Sequence, residues 1–384
     1  MSIASPHHRH QASLEGVINL LAVTSTLSPD ERQEATRVFR EVIHACEPLQ
    51  THEPYKQVTL VRLTYEYTRS EASRDNFLVF FFQQTQISTK VSVSESIPAY
   101  EYVSRVVAFA QTLLENFFLP LKASTRKTPQ PSPATLSEIQ SAQSLTGTTQ
   151  RLATLRRDCL IRDRHRCVIS RAFDRDEAIR RVSRHGDHNA EDDDGKLLKE
   201  ERGTFVPLEV AHIIPHSLMT FPSGKTELDE SKQLALAILN MFDDGVVYLI
   251  GGPDIDRPGN AITLTHDFHQ LFGGFEVYFE PIGNEPHTYC IDSTNTGILR
   301  HKIFPVNRTL YLTDTRTIDP PSPRLIAIHR AIALILHLSA AGRHIDNILR
   351  DLDHGGVSVD GSTPLGQLTA LRIQGWWDGR VRAF

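Results

Sequence analysis

The apolar periodicity in the first third of the chain predicts two helices. One begins at Pro29, which follows a serine and precedes acidic residues, an order typical of a helix start. Apolar residues recur with a helical period across 103–117, so a second helix is predicted there. This helix is expected to end at Pro120, because proline lacks the backbone N–H that a helix interior needs.

Two further segments of this region are predicted to form strands. The segments KQVTLVRLTYEYT and NFLVFFFQQTQIST are rich in β-branched and aromatic residues, which favour extended structure. The run FLVFFF is expected to be buried, since an exposed run of this kind would aggregate. Residues 11–121 are therefore predicted to form a separate N-terminal domain of mixed α/β structure and unknown role.

Composition divides the remainder of the chain. Residues 122–150 are rich in Ser, Thr and Pro and short of large apolar residues, which is typical of a linker. Residues 151–350 are predicted to form the second domain, and residues 351–384 a C-terminal tail. An acidic run within GDHNAEDDDGK is expected to be a solvated surface loop.

The second domain contains a pattern that alternates between strand and helix. LEVAHIIPHSL predicts a strand that ends at His212, followed by a turn restrained by Pro215. A predicted helix, ESKQLALAILNMF, comes next. It is followed by the turn Pro-Gly-Asn, which contains Asn260, and by the short predicted strand AITLT. HDFHQLF then reads as a short helix that carries His269, and FEVYFEP alternates like a strand.

Bulk properties exclude some classes of protein. The formal net charge of -5 gives no general reason to expect a nucleic-acid partner, so that case must rest on local charge. The four cysteines form no C-x-x-C pair, which argues against a zinc knuckle or a secreted disulfide framework. The polar N-terminus has no signal-peptide core, and the most apolar stretches are interrupted by charges. An intracellular protein, cytoplasmic or nuclear and without a membrane span, is expected.

The segment 151–184 has a local excess of positive charge. This segment holds eleven arginines against five acidic residues. Such an excess is typical either of a surface helix laced with i,i+4 ion pairs or of a surface that faces phosphates. The candidate nucleic-acid-binding residues are Arg156, Arg157, Arg162 and Arg164.

The chain resembles the HNH endonucleases, in particular the domains of fungal predicted nucleases. Three motifs carry the resemblance: LEVAHIIP, Pro-Gly-Asn with the leucine of AITL, and Asp-x-His-x-x-Phe. The segment CVIS, expected as a strand before the motif, and the helical tail from AIHRAIALILHL fit the same resemblance. The resemblance implies an α+β fold with a ββα-metal core: a β-hairpin, a helix and one divalent ion. It implies hydrolysis of phosphodiester bonds, with DNA as the expected substrate.

The resemblance also implies roles for individual residues. His212 would be the general base, a task that suits an imidazole with a pKa near neutrality. Asn260 would orient the base through side-chain hydrogen bonds, and His269 would bind the metal. Many HNH sites carry a further ligand directly before the base, where this chain has Ala211.

The missing ligand is sought among nearby residues. His266 shares a helical face with His269 and is favoured, whereas Asp267 is rotated away from it. Glu209 is separated from His212 by an odd number of residues and is expected on the opposite strand face. His216 also lies close to the motif. The ion could be Mg²⁺, Mn²⁺, Ni²⁺ or Zn²⁺, and an imidazole pair favours the transition metals.

Two other functions remain open. Ala211 favours a catalytically silent HNH-fold module that binds nucleic acid or protein. The negative net charge favours a metal-stabilised structural domain without a nucleic-acid role.

Overall fold

The computed structural model describes residues 27–89, 99–125, 148–219, 228–313, 315, 317–353, 371, 374 and 376. The chain divides into two compact units. The first unit comprises residues up to Ser124, Ser217–Gly252 and residues from Ala331 onward, and the second comprises Thr125–His216 and Pro253–Arg330. The proposed linker lies mostly, and the C-terminal tail almost entirely, outside the described residues, so the sequence-based domain boundaries stay predictions.

The described part of the N-terminal region is helical. Its helices are α1 (Pro29–Cys46), α2 (Gln57–Glu66), α3 (Glu71–Thr85), α4 (Ala99–Leu113) and α5 (Leu119–Thr125). The helix predicted at Pro29 is confirmed, and Ser28 and Glu31 form a reciprocal capping box at its start. The prediction of mixed α/β structure is wrong, because the two segments expected as strands form α2 and α3.

Packing explains why α3 is a helix despite its aromatic composition. Phe77 and Phe81 lie four residues apart, on one face, and their rings stack. Phe39 of α1 and Phe109 of α4 meet these rings edge to face. Ser70 caps the helix by accepting a hydrogen bond from the Ser73 N–H. Burial of the aromatic rings in this helical core overrides the local strand propensity of the sequence.

Pro120 does not end the helical segment as predicted. The chain passes from α4 through a π-helical turn, Leu114–Phe118, directly into α5. Pro120 lies at the second position of α5, directly after the π-helical turn, so the helical segment continues through the proline.

The remaining elements follow in chain order: α6 (Thr148–Arg162), α7 (Arg175–His185), β1 (Leu208–His212), α8 (Glu230–Phe242), β2 (Ala261–Thr265), α9 (His266–Gly273), β3 (Val277–Pro281), β4 (Thr288–Ser293), β5 (Val306–Thr309), α10 (Pro323–Leu338) and α11 (Ala341–Asp353). The predicted elements ESKQLALAILNMF and FEVYFEP are confirmed as α8 and β3. The predicted C-terminal helical tail is two helices, α10 and α11. CVIS, expected as a strand, is a turn at Cys167–Ser170.

The second unit contains a hairpin-like pair of strands followed by a helix. β1 and β2 are antiparallel, with Leu208 opposite Thr265 and His212 opposite Ala261. The Thr265 side chain caps α9, so the helix begins at the residue after β2. α9 packs against both strands. This arrangement confirms the strand–strand–helix order that the sequence predicts around His212.

A second antiparallel sheet, in the order β3-β4-β5, follows α9. Phe279 of β3 packs edge to face against Phe272 of α9, with ring centroids 5.8 Å apart. No single helix among the described residues is long and apolar enough to cross a membrane. α10 and part of α11, which are bent by 86° relative to each other, reach that length and apolar composition only when they are taken together.

Candidate active site

His212 lies at the end of β1 and shares a carboxylate with a second histidine. Its Nε2 is 3.1 Å from Oδ1 of Asp256, and Nδ1 of His216 is 2.7 Å from the same oxygen. The side chains are nearly inaccessible, with exposed fractions of 2% for His212, 10% for His216 and 1% for Asp256. We call these three residues the strand-end triad.

The protonation of the triad follows from its burial and its hydrogen bonds. Burial lowers the pKa of His212 and outweighs the opposing effect of Asp256, so this imidazole is neutral near neutral pH. Burial alone would raise the pKa of Asp256, but hydrogen bonds from both histidines hold that pKa well below its usual range. Asp256 is therefore an ionised carboxylate that accepts a hydrogen bond from the Nε2–H of a neutral His212.

The other ring nitrogen of His212 carries a lone pair when Nε2 is the protonated nitrogen. Its Nδ1 is buried and has no hydrogen-bond partner among the described residues. A carboxylate that fixes one imidazole nitrogen and leaves the other as a base is the arrangement of an acid–histidine pair in hydrolases. The geometry of His212 and Asp256 can thus supply a general base.

The same triad could hold a metal ion. One ligand atom from each of His212, His216 and Asp256 lies within 4.8 Å of the others. Two imidazoles and a carboxylate form a set that suits transition metals. The second oxygen of Asp256, Oδ2, accepts a hydrogen bond from Nε of Arg151 at 3.1 Å, so a cation already contacts this carboxylate.

Asn260 holds the loop that follows β1. Its Oδ1 accepts the Ile214 N–H at 2.9 Å, and its Nδ2 donates to the carbonyl oxygens of Ile214 and Ile255, each also at 2.9 Å. The side chain therefore bridges the turn after His212 and the segment that carries Asp256. It acts through these backbone contacts, and within the described part of the chain it makes no hydrogen bond to the His212 side chain.

A second cluster, which we call the helix cluster, joins β1 to α9. Nδ1 of His269 lies 2.6 Å from Oε2 of Glu209, and Nδ1 of His266 lies 2.9 Å from Oε1. The hydrogen bond from His269, followed by that from His266, lowers the pKa of Glu209 to about 2. Asp267 is exposed in the first turn of α9.

Strand alternation explains why Glu209 belongs to this cluster. Glu209 and Ala211 are two residues apart and share a strand face. That face meets α9, because Glu209 contacts both His266 and His269. From the sequence, Glu209 was expected to be a poor metal ligand because it lies on the strand face opposite to His212. The relevant face is that of Ala211, where many HNH sites carry their ligand.

The two clusters lie close enough to interact electrostatically. Among the smaller causes of the lowered His212 pKa is its Coulombic interaction with His269. His269 itself is largely buried, with 10% of its side chain exposed, whereas His266 is 64% exposed. The helix cluster therefore reaches from the interior to the surface beside the base candidate.

The candidate nucleic-acid residues occupy different environments. Arg162 is enclosed: its guanidinium is paired with Asp163 and donates to the carbonyl oxygens of Pro258 and Ala261. Since neither member of that ion pair has any exposed side-chain surface, Arg162 offers no access to a phosphate backbone. Its role as a nucleic-acid contact is incompatible with this burial, and its contacts instead hold the loop before β2.

The other three candidates are more accessible. Arg157 is 66% exposed and is paired with Asp158. Arg156 donates from Nη1 to the Leu208 carbonyl oxygen at 2.8 Å and so contacts the start of β1. Arg164 is paired with Asp194 of the acidic run.

The acidic run is attached to the arginine-rich segment. Besides the Arg164–Asp194 pair, Arg166 Nη2 lies 2.7 Å from Oδ2 of Asp192, and Arg181 Nη2 lies 2.9 Å from Oδ1 of Asp193. Most residues of GDHNAEDDDGK are exposed, as expected for a solvated surface loop, but Asp192 is buried. These pairs compensate part of the positive charge that the composition of 151–184 indicates.

Sequence reasoning missed two contributors to the site. Asp256 and Arg151 lie far apart in the chain, and neither stands within a recognisable motif. A signal for Asp256 was present in its position four residues before Asn260, in the loop that the asparagine organises. Arg151 is one of the eleven arginines of 151–184, but nothing in that segment indicates its contact with Asp256.

Comparison with known proteins identifies the region that carries both clusters. No curated protein and no solved structure matches the chain. Residues 167–280 match the family model described as HNH endonuclease. This range includes His212, Asp256 and His269, and therefore both the strand-end triad and the helix cluster. The chain accordingly contains an HNH endonuclease domain at residues 167–280.

Proposed function

We propose that the protein is a metal-dependent HNH endonuclease that hydrolyses phosphodiester bonds in DNA. One observation carries the proposal: a neutral, carboxylate-bound His212 and a histidine–carboxylate cluster meet on one strand–strand–helix unit within the matched domain. Hydrolysis of a phosphodiester needs a base for the attacking water and a cation beside the phosphate. The two clusters supply one requirement each.

The helix cluster is the proposed site of the divalent ion. Glu209 offers carboxylate oxygens, and His266 and His269 offer imidazole nitrogens that already converge on that carboxylate. This set of nitrogen and oxygen donors fits a transition metal better than Mg²⁺. When bound, the ion would stabilise the charge that develops on the phosphate oxygens.

Accessibility favours the helix cluster over the strand-end triad. A catalytic metal must keep positions open for the substrate, and Glu209 and His266 are 25% and 64% exposed. The triad is almost completely enclosed, and the Arg151 guanidinium would repel a cation held by Asp256. The triad is therefore assigned to positioning and proton transfer.

Within the triad, His212 is the proposed general base. Asp256 accepts its Nε2–H and fixes the ring, which leaves the Nδ1 lone pair to accept a proton from water. Asn260 is the proposed positioning residue, because it links the turn after His212 to the segment of Asp256. Arg156, Arg157 and Arg164 remain proposed phosphate contacts.

Metal binding and plasmid nicking together test the location of the ion. Metal binding by wild type, His269→Ala and His216→Ala would be measured by calorimetric titration with Mn²⁺ or Zn²⁺. Plasmid nicking by the same three proteins would be assayed with Mg²⁺, Mn²⁺, Ni²⁺ and Zn²⁺, with and without chelator. The His269 variant should lose both metal binding and nicking, while the His216 variant should retain metal binding. Loss of binding only in the His216 variant would place the ion in the strand-end triad instead.

Replacement of the base tests the role of His212. His212→Ala should lower the cleavage rate by roughly 10² to 10⁴ while metal binding stays nearly unchanged, because no proposed ligand is removed. Equal cleavage by wild type and the alanine variant would refute the assignment.

A catalytically silent HNH-fold module remains the alternative. It is favoured by Ala211, a buried methyl group at the position where many HNH sites have a ligand. DNA binding by the wild type without nicking under any of the four metals would establish this alternative.

A further inference from the structure

The loop between β4 and β5 exposes two neighbouring aliphatic side chains. Ile298 is 101% exposed relative to the reference state and Leu299 is 75% exposed. They form the end of a short 3₁₀ turn, Gly297–Leu299, whose first residue has a φ of 63°. We call Ile298 and Leu299 the apolar tip. Two adjacent exposed aliphatic residues are costly to keep in water, which suggests a partner.

The loop is anchored on both sides of the apolar tip. Before it, Thr294 donates its backbone N–H to the Glu276 carbonyl oxygen at 2.8 Å. After it, Arg300 Nη2 lies 2.6 Å from Oδ1 of Asp292. These contacts hold both ends of the loop to the sheet, so the apolar tip is presented in a defined position.

The loop also packs against the helix that carries the proposed metal site. The rings of His301 and Phe304 lie 5.0 and 5.7 Å from the ring of Phe268. Phe268 is the α9 residue directly before His269. The apolar tip is thus part of a loop that borders the candidate active site within the same unit.

The charge around the apolar tip suits a polyanion. Residues 293–313 include three basic residues and no acidic residue; Arg300 is paired with Asp292 of β4 and Arg308 donates to the Ile169 carbonyl oxygen, so the phosphate contact is assigned to Lys302. Lys302 and His301 are exposed.

We propose that the β4–β5 loop is a DNA-contacting element, in which Ile298 and Leu299 enter between base steps of a duplex while Lys302 contacts the backbone. Aliphatic wedges of this kind unstack a base step, and neighbouring basic residues bind the flanking phosphates. The inference rests on the proposed function and names the surface by which that function engages its substrate.

The test uses the full chain and separates base unstacking from phosphate contact. Random-sequence duplexes with 2-aminopurine at scattered positions would be bound to His212→Ala protein in chelator, so that no strand is cut. Fluorescence anisotropy would give affinity over a range of salt concentrations, and 2-aminopurine emission would report unstacking. The variants are Ile298→Ser/Leu299→Ser and Lys302→Gln. The matched control is Ile179→Ser, which removes an aliphatic residue that is 58% exposed on α7 of the same unit.

Distinct outcomes are expected for the variants. The double serine variant should lose most of the emission increase and bind about tenfold more weakly, with an unchanged salt slope. Lys302→Gln should reduce the salt slope by about 0.9 and keep the emission increase. The Ile179 control should behave like its parent. Parental emission and affinity in the double serine variant would overturn the proposal.

Two further measurements separate this inference from its rivals. If the double serine variant binds DNA like its parent but converts a dimer to a monomer in analytical ultracentrifugation, the apolar tip contacts a second copy of the chain and the proposal is overturned. If the loop-dependent emission increase is present while wild type cuts no DNA with any metal, the inference holds and the proposed nuclease activity fails.

Discussion

Replacement of His329 by phenylalanine should remove part of the protein's sensitivity to acid. His329 is buried between Phe272 and Phe275, with ring centroids 3.8 and 4.7 Å from theirs. Its Nε2–H donates to the Phe272 carbonyl oxygen at 3.0 Å. Burial lowers the pKa of His329 from 6.5 to about 3, because the apolar stack disfavours the imidazolium.

The size of the effect follows from this pKa difference. Between pH 6.5 and pH 3 the unfolded chain binds a proton at this histidine and the folded chain does not. The free energy of unfolding is therefore unaffected by this residue above pH 6.5 and decreases as the pH falls toward 3. Acidification from pH 7 to pH 5 should therefore cost about 2 kcal/mol of unfolding free energy from this residue. At pH 7 the phenylalanine variant should lose about 1 kcal/mol, the value of one hydrogen bond. Phe272 O retains the Phe275 N–H as a partner.

Urea unfolding at several pH values, followed by far-ultraviolet circular dichroism, would measure the difference. His212, His337 and His344 also have lowered pKa values and contribute to the wild-type slope, so the informative quantity is wild type minus variant. Phe279→Leu, a control that changes packing without adding or removing a titratable group, should shift stability equally at pH 7 and pH 5. An identical pH slope for wild type and His329→Phe would refute the reasoning.

Three other substitutions test the contacts that hold the site together. Asn260→Ala should lower the unfolding free energy by about 2–4 kcal/mol in urea denaturation, because it removes hydrogen bonds to three buried backbone groups; a loss below 1 kcal/mol would contradict its bridging role. Arg162→Met should cost about 3–5 kcal/mol in the same assay, since Asp163 would be buried without its partner. Asp256→Asn should reduce nicking at least tenfold with metal affinity unchanged in calorimetry, because the amide no longer holds the tautomer of His212; lost metal affinity would instead indicate that Asp256 is a ligand.

Local sequence signals predicted the secondary structure near the site better than in the N-terminal region. β1, β2 and α9 were predictable because turn residues and a change of period bound each element. α2 and α3 were not, because their β-branched and aromatic residues favour strands locally. What makes them helical is the contact of Phe77 and Phe81 with rings from α1 and α4, which no local window contains.

The candidate site shows the same division between local and long-range information. The pairing of His212 with Asp256 spans 44 residues and depends on the loop that Asn260 organises, so spacing alone could not reveal it. Glu209, the proposed metal ligand, was within reach of sequence reasoning, because a ligand that replaces Ala211 is expected on the strand face of Ala211 rather than on that of His212. On the proposed roles, the base His212 ends β1 and the metal ligand Glu209 is the second residue of the same strand, on the opposite face, so the partners that each side chain meets depend on elements outside the strand.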